Sequence, residues 1–200
     1  TVPLLNLAYV TASATDAAGN TSTVSTLDFD NTAPTLTVSV DALSNDTTPV
    51  ISGDTDMGEG TVINLTVVDS DNVSQVFTAV VQADQTWSVS VPQAIAQGTY
   101  TVSASVRDGV GNLTTEQTTG VVDSVAPSLL IDNLQPTANA TPTITGSSNE
   151  IGGEVSVVVN GQTLQATVAS DGTWQVTIPT ALGDGDYPVE VSITDAAGNQ

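Results

Sequence analysis

Residues 98–112 read Gly-Thr-Tyr-Thr-Val-Ser-Ala-Ser-Val-Arg-Asp-Gly-Val-Gly-Asn, and this stretch decides the fold. Apolar and polar side chains alternate along its first ten residues, the period expected of a β-strand with one buried face. The apolar members are Tyr100, Val102, Ala104 and Val106. The pentad Asp108–Asn112 then predicts a tight turn, because Asp caps such turns and Gly or Asn accepts a positive φ.

Related motifs recur along the chain and indicate tandem repeats. The Asp-x-x-Gly-Asn pentad occurs at Asp16–Asn20, Asp108–Asn112 and Asp195–Asn199. Two motifs recur 93 residues apart: Asp-x-x-Ala-Pro begins at Asp30 and Asp123, and Thr-Pro-x-Ile-x-Gly ends at Gly53 and Gly146. Trp87 and Trp174 lie only 87 residues apart, so one copy is six residues longer. We assign the difference to a turn, Asp69–Asn72 in the first copy and Asn160-Gly161 in the second.

These repeats predict three segments. Residues 1–30 match the last strands of a preceding domain, 31–123 form a complete domain, and 124–200 form a domain without its last strand. The chain starts without Met or a basic leader, which suggests a piece of a longer protein. The missing strand predicts an open sheet edge in the last domain, filled by flanking chain or by a strand of another molecule.

Each repeat is predicted to be an immunoglobulin-like Greek-key sandwich of about seven strands, with the domains end to end in an all-β chain. The expected strands are 35–40, 48–53, 61–69, 73–82, 86–92, 99–107 and 113–122. Tyr100 and Tyr187 lie where a tyrosine corner is expected, at the start of the sixth strand. Trp87 and Trp174 begin apolar stripes and are expected in the core. Since the Trp is on the fifth strand and Cys is absent, the likeness to antibody domains is architectural only.

The composition excludes several functions. The chain has 22 Asp and Glu, one Lys or Arg, no His and no Cys, for a net charge of −21. One cation cannot neutralise a nucleic-acid backbone or dock on anionic lipid. No apolar run is long enough to span a membrane. Without His or Cys, softer metals and the usual nucleophile–base pairs are not expected.

Acidic side chains are predicted to gather at one pole of each sandwich, beside the incoming linker. Alternating chain direction brings the second-to-third, fourth-to-fifth and sixth-to-seventh turns to that pole. The candidate metal ligands there are Asp30, Asp54, Asp56, Asp108 and Asn112 in the first repeat, and Asp123, Glu150, Asp195 and Asn199 in the second. Uncompensated carboxylates repel, and Ca²⁺ prefers such oxygen ligands. The alternative is that the pentads are turns and Asp-x-x-Ala-Pro a linker, with no metal.

Other sites receive less support. Paired carboxylates serve glycosidases, but these acids lie on turns rather than in an apolar cleft, so no enzyme is expected. The Asn-x-Ser/Thr sequons are expected by chance in so Thr-rich a chain.

Together the motifs resemble the bacterial Ig-like repeats of giant, Ca²⁺-dependent, RTX-type adhesins secreted by Gram-negative bacteria. The resemblance rests on three kinds of motif: Asp-Asn-Thr-Ala-Pro-Thr at 30–35, the Asp-x-x-Gly-Asn pentads, and Asp-Gly-Thr-Trp at 171–174. The resemblance implies that Ca²⁺ stiffens the junctions between repeats. It carries ligand roles to Asp30, Asp108, Asn112, Asp123, Asp195 and Asn199.

The resemblance therefore implies an extracellular extender segment at the bacterial cell surface. It would project a distal domain for cell or biofilm attachment, with neighbouring repeats as its partners and a receptor bound by another domain. One alternative is that the modules themselves bind glycan or protein. That alternative predicts an exposed apolar patch differing between copies; none is evident, and residues 54–82 are where to look. Another alternative is an accessory module of a secreted carbohydrate-active enzyme.

Overall fold

The computed structural model describes residues 13–23 and 30–200, and all regular elements in that part of the chain are β-strands. Within these ranges no helix is long and apolar enough to cross a membrane. The described residues divide into two compact units. The first comprises the residues before Leu43 together with Thr48–Gly120, and the second comprises Leu43–Thr47 and Val121–Gln200. The all-β prediction is confirmed.

A short hairpin precedes the first complete repeat. Strands β1 (Ser13–Thr15) and β2 (Thr21–Thr23) pair antiparallel on either side of the first pentad. The pentad Asp16–Asn20 therefore forms a hairpin turn, as the sequence predicts.

Seven strands follow in the first repeat. They are β3 (Leu43–Ser44), β4 (Val50–Asp54), β5 (Val62–Val68), β6 (Ser74–Val80), β7 (Thr86–Ser90), β8 (Gly98–Arg107) and β9 (Leu113–Val122). Strands β4 and β7 pair antiparallel, and a five-stranded sheet has the order β3-β9-β8-β5-β6 with β6 at its edge. Strand β3 is parallel to the end of β9, through Leu43 opposite Val121 and Ser44 opposite Val122.

The strands predicted second to seventh are confirmed, whereas the first differs. Instead of a continuous strand over 35–40, two isolated bridges join Leu36 to Thr55 and Ser39 to Ser52. Between them the Asp54 N–H donates to Thr37 Oγ1 (2.8 Å), so a side chain replaces one backbone rung of the ladder. Strand β3 was not predicted, because a two-residue parallel pairing has no detectable periodicity.

The core follows the predicted alternation. Tyr100, Val102, Ala104 and Val106 on β8 are at most 1% exposed, as are their β5 neighbours Ile63, Leu65 and Val67. The polar residues between them lie on the outward face of the sheet. Burial of roughly 25 cal/mol per Å² of such apolar surface is the main driving force for the fold.

Each Trp packs on a Gly of the opposite strand. Trp87 lies opposite Gly53 and Trp174 opposite Gly146, and the two indoles are 1% and 2% exposed. A Cβ on Gly53 would meet Trp87 Cζ2 at 2.7 Å, so the ring occupies the space that a side chain would need. The Trp residues are thus core residues, as predicted, and this contact explains why both motifs recur.

The second repeat has the same plan. Its strands are β10 (Leu129–Ile131), β11 (Thr143–Ser148), β12 (Glu154–Val159), β13 (Gln162–Thr167), β14 (Thr173–Thr177) and β15 (Val189–Ser192). They form two antiparallel sheets in the orders β10-β11-β14 and β13-β12-β15. Buried residues from both sheets, including Ile144, Val157 and Trp174, form one apolar cluster. The sheet that contains β15 has no counterpart of β9 among the described residues.

The six-residue length difference is shared between two loops. The N–H of Gly60 donates to Val81 O and that of Gly152 donates to Val168 O, both at 2.9 Å, which makes these glycines equivalent. They lie 92 residues apart, so one residue of the difference precedes them. The other five lie in the β5–β6 hairpin, whose second-copy counterpart turns at Asn160-Gly161. The predicted turn therefore contains most of the change.

Tyr100 lies near the start of β8, as predicted, whereas Tyr187 lies two residues before β15. The Tyr187 hydroxyl donates to Gly183 O at 3.3 Å, a bond to upstream backbone of the kind that defines a tyrosine corner. Tyr100 is buried, and its hydroxyl lies 2.5 Å from where a Cβ on Gly120 would be. Gly120 therefore leaves room for the ring end between β8 and β9.

Candidate metal centre at the linker pole

The pentad of the first repeat folds around the carboxylate of Asp108. Its Oδ1 accepts the backbone N–H groups of Val110 (3.0 Å), Gly111 (2.7 Å) and Asn112 (2.8 Å). Its Oδ2 accepts the side-chain amide of Asn112 at 2.6 Å. Gly111 has a φ of 103°, which an L side chain rarely adopts. Asp, Gly and Asn are thus each required at their positions by the turn itself.

The same Asn112 amide fastens the incoming linker. Its Nδ2 also donates to Asp30 O at 3.2 Å and to Thr32 O at 3.3 Å. The Asp30 carboxylate in turn accepts the Thr32 N–H at 2.9 Å. One amide has only two hydrogens, so one serves Asp108 and the other is shared by the two carbonyls. We call this arrangement the linker clasp, and the end of the repeat that it occupies the linker pole.

The second repeat has an equivalent clasp. Asn199 Nδ2 donates to Asp195 Oδ2 and to Asp123 O, both at 2.8 Å. The Asp123 carboxylate accepts the Val125 N–H at 3.2 Å. Six of the nine predicted ligands therefore come together as two sets of three, joined by hydrogen bonds in both repeats.

The loop acids contact the linker farther along. Asp56 Oδ1 accepts the Thr35 N–H at 2.9 Å, and the Thr37 hydroxyl donates to Asp54 Oδ2 at 3.4 Å. In the second repeat Asn149 Oδ1 accepts the Ser128 N–H at 2.8 Å. Asn149 thus replaces Asp56. Glu150 takes part through its backbone, donating to Ser148 Oγ and accepting from Gly153 N–H.

Asp84 and Asp171 serve their own turns. Asp84 Oδ1 accepts the N–H (3.1 Å) and hydroxyl (2.7 Å) of Thr86, and Asp171 does the same for Thr173. This explains the recurrence of Asp-x-Thr-Trp, because the bonded Thr directs the following Trp into the core.

The hydrogen bonds within the pentads lower the pKa values of carboxyl groups at the linker pole. The Asn199 amide, followed by the backbone N–H groups of the same turn, holds the pKa of Asp195 below its ordinary value. For Asp108 partial desolvation opposes the shift, but the bonds from Asn112, Gly111 and Val110 outweigh it and lower the pKa. Both carboxylates are therefore ionised at neutral pH, and one Arg is the chain's entire complement of Lys and Arg.

The oxygen chemistry of the pole fits a hard cation such as Ca²⁺, since carboxylates and backbone carbonyls are its usual ligands. Within the described residues, however, no group of three or more acidic side chains is arranged to hold a metal ion. Asp108 Oδ2, Asp30 O and Thr32 O converge on the Asn112 amide nitrogen. Each of these three oxygens accepts one amide hydrogen bond and retains a further lone pair.

Two Gln residues that the sequence analysis overlooked tie an edge strand of one sheet to the loop that follows a strand of the other sheet. Gln75 Nε2 donates to Gln93 O (2.9 Å), and Gln75 Oε1 accepts the Gln93 N–H (3.1 Å). Gln162 makes the same pair of bonds with Thr180 at 3.4 and 3.3 Å. The two Gln residues lie 87 residues apart, the same offset as the Trp pair, so the repeat itself was the available sequence signal.

The fold and the repeated clasp define a class of protein. The family model of the bacterial Ig-like domain matches residues 26–124 and 131–200. The chain therefore belongs to the bacterial Ig-like domain family.

Solved structures of three adhesion proteins are similar to the chain. A tetra-tandem repeat from the extending region of a large adhesion protein is 30% identical, with a TM-score of 0.46, covering 96% of this chain and 53% of that one. A Ca²⁺-stabilized adhesin that helps an Antarctic bacterium reach out and bind ice is 24% identical, with a TM-score of 0.45, covering 94% and 52%. A 1.5-MDa bacterial ice-binding adhesin is 26% identical, with a TM-score of 0.43, covering 94% and 68%.

The chain spans about half the length of the first two of these structures. None of the curated proteins compared with the chain matches it.

Proposed function

We propose that this chain is a spacer segment of a secreted bacterial surface adhesin. Its Ig-like repeats, organised as residues 1–30, 31–123 and 124–200, hold a distal adhesive domain away from the cell. The observation that carries this proposal is the linker clasp, in which Asn112 and Asn199 bind the backbone of Asp30 and Asp123. A clasp that recurs at the same place in both repeats is a structural device, in which the carboxylates of Asp108 and Asp195 accept hydrogen bonds from their own turns. The proposed role is accordingly non-enzymatic.

A clasp restricts a linker at the point where a tandem array would otherwise bend. In the first repeat Asn112 holds the backbone at Asp30 and Thr32, and Asp56 holds it at Thr35. The linker is thereby fixed to its own repeat over six residues. Neighbouring repeats of the same chain are the proposed partners, and the surface receptor is bound elsewhere in the full-length protein.

We also propose that Ca²⁺ binds at each linker pole. The proposed ligands are Asp30, Asp54, Asp56, Asp108 and Asn112, and in the second repeat Asp123, Glu150, Asp195 and Asn199. Support comes from the all-oxygen donor set and the net charge of −21, whose self-repulsion a divalent cation would reduce. Bound Ca²⁺ would supply positive charge there, while the clasp positions the linker carbonyls.

Thermal unfolding in Ca²⁺ and in EGTA tests the metal. A ligand that binds only the folded state stabilises it by RT ln(1+[L]/Kd), about 2.7 kcal/mol at a hundredfold excess over Kd. We expect Ca²⁺ to raise the melting temperature, and D108N/D195N to remove the increase. The control D184N/D186N removes the same charge outside the proposed ligand set and should retain the increase. If Ca²⁺ leaves the melting temperature of the wild-type chain unchanged, the proposal of Ca²⁺ binding is refuted.

The spacer role has a separate test. A spacer has no adhesive target of its own, so the isolated 200-residue chain should not attach to surfaces that the full-length protein recognises. Attachment by the isolated chain would refute the spacer role and favour the alternative that these modules bind ligands themselves.

A further inference from the structure

The outward face of β5, β6 and β8 in the first unit is free of carboxylates. Alternate positions along Val62–Val68, Ser74–Val80 and Thr101–Arg107 point outward, and they carry Val, Thr, Ser and Asn together with Arg107. None of them is Asp or Glu, although the chain contains 22 acidic residues. We call this surface the neutral face.

Valines are exposed along the free side of the neutral face. Val76 is 76% exposed, and Val62 and Val80, which are directly opposite each other, are 47% and 48% exposed. Strand β6 is the edge of its sheet, and residues 72–83 contain neither a charge nor a Pro. Exposed edge strands are usually protected by charges, Pro or bulges, because their free backbone groups pair with other strands.

The equivalent face of the second unit is different. Val62 and Val80, which are opposite each other in the first unit, correspond to Glu154 and Thr167, which are opposite each other in the second. On the neighbouring strand Glu190 takes the position of Ser103. The two units share one fold, so the fold does not require the neutral face. The ligand-binding alternative placed an exposed apolar patch within residues 54–82, and no such patch was evident in the sequence. The structure shows one there in the first repeat, and the equivalent face of the second repeat lacks it.

We propose that the neutral face is a self-association surface, which packs face to face against the same surface of a second copy of this chain. Thr, Ser and Asn side chains each donate and accept hydrogen bonds, so such a face is complementary to itself, whereas carboxylates only accept. At a net charge of −21 two copies repel wherever their carboxylates meet, and this face avoids that contact. The pairing is two-fold, with the same surface contributed by each copy.

A sugar fits the surface less well, because carbohydrate stacking needs exposed aromatic rings. Phe77 points to the inner side of β6 and is partly buried, and Trp87 is fully buried.

Sedimentation equilibrium of the 200-residue chain tests this proposal. We expect a reversible dimer that tightens at high salt, because salt screens the repulsion between the copies. The variant V62E/S103E places the second unit's residues at the same positions of the first unit and should weaken dimerisation by about tenfold or more, or about 1.4 kcal/mol. The control S156E/S192E adds the same two charges to the outward face of the second unit and should dimerise like the wild type.

A second variant removes apolar surface without adding charge. V76T/V80T again carries the second unit's residues and should also weaken the dimer, with Trp fluorescence and circular dichroism confirming the fold. The proposal is overturned if the wild-type chain stays monomeric at every concentration. It is also overturned if both charge variants weaken the dimer equally, or if V76T/V80T and V62E/S103E both dimerise like the wild type. Self-association is independent of Ca²⁺ binding, so the two proposals fail separately.

Discussion

Replacing Gly53 by Ala should unfold the first repeat far more easily, although it adds a single methyl group. The new Cβ would lie 2.0 Å from Thr37 O, 2.7 Å from Trp87 Cζ2 and 2.8 Å from Thr37 C. Ordinary van der Waals contact begins near 3.4 Å, so the strand segment at Thr37 must move by about 1.4 Å. Such a movement breaks the Thr37 N–H bond to Asp54 O, now 2.9 Å long.

The magnitude follows from these two effects. Overpacking a well-packed core costs about 1–3 kcal/mol, and a lost backbone hydrogen bond adds about 1 kcal/mol. We therefore expect a loss of about 3 kcal/mol. For a domain of 60–100 residues, 1 kcal/mol corresponds to about 4–8 °C, which predicts a melting temperature lower by about 15 °C.

Trp fluorescence during heating measures the effect, in a Trp174→Phe background so that Trp87 reports on the first repeat alone. Gly58→Ala is the matched control, because a Cβ there has no neighbour within 4 Å. It should leave stability unchanged or raise it by about 0.4–1 kcal/mol through the lower entropy of the unfolded chain. If the Gly53 and Gly58 variants melt together, the packing of the indole on Gly53 has no energetic importance and the reasoning fails.

Two further predictions concern the side-chain bonds. Asn112→Ala removes the linker clasp of the first repeat and should lower the melting temperature of that repeat in EGTA. The control Asn64→Ala, on the outward face of β5, should leave it unchanged. If the two variants melt at the same temperature, the clasp does not stabilise the repeat. The Thr173 N–H and hydroxyl lower the pKa of Asp171, so its stabilisation is complete above the unfolded-state pKa near 4 and disappears as the pH falls through the lower folded-state value. Asp171→Asn should therefore melt below the wild type at pH 6, and the gap should narrow progressively as the pH falls below about 4. A gap that does not narrow in acid would contradict this cause.

The sequence predicted the strands because their side chains alternate, and this alternation reports directly which face is buried. Tyr100 through Val106 is the strongest example, and every predicted inward residue in it is buried. The first strand was less well predicted, because Thr37 substitutes a side-chain bond for a backbone rung and this leaves no trace in the pattern. The local preferences of Asp, Gly and Asn located the pentad turns, and repeat spacing located the six-residue length change.

The candidate site was predicted only in part. The alternating chain direction of a seven-strand sandwich placed Asp30, Asp108 and Asn112 at one pole, and the structure brings them together. Chain direction gave no information about which atoms touch. It therefore did not indicate that the Asn112 amide occupies the convergence point of three oxygens. The loop ligands were harder to align, because a one-residue offset before Gly60 and Gly152 obscures the equivalence of individual loop positions.

The bonds that Gln75 and Gln162 make with the loops after β7 and β14 have a mechanical consequence. They tie an edge strand of one sheet to the chain that leaves the other sheet without covalent chemistry, and a chain lacking Cys has no disulfide to perform that task. A module pulled open by shear flow would break only hydrogen bonds and apolar contacts, and these can re-form when the tension is released. Repeated stretching should therefore leave no chemical damage, and recovery should require neither an oxidant nor a disulfide isomerase.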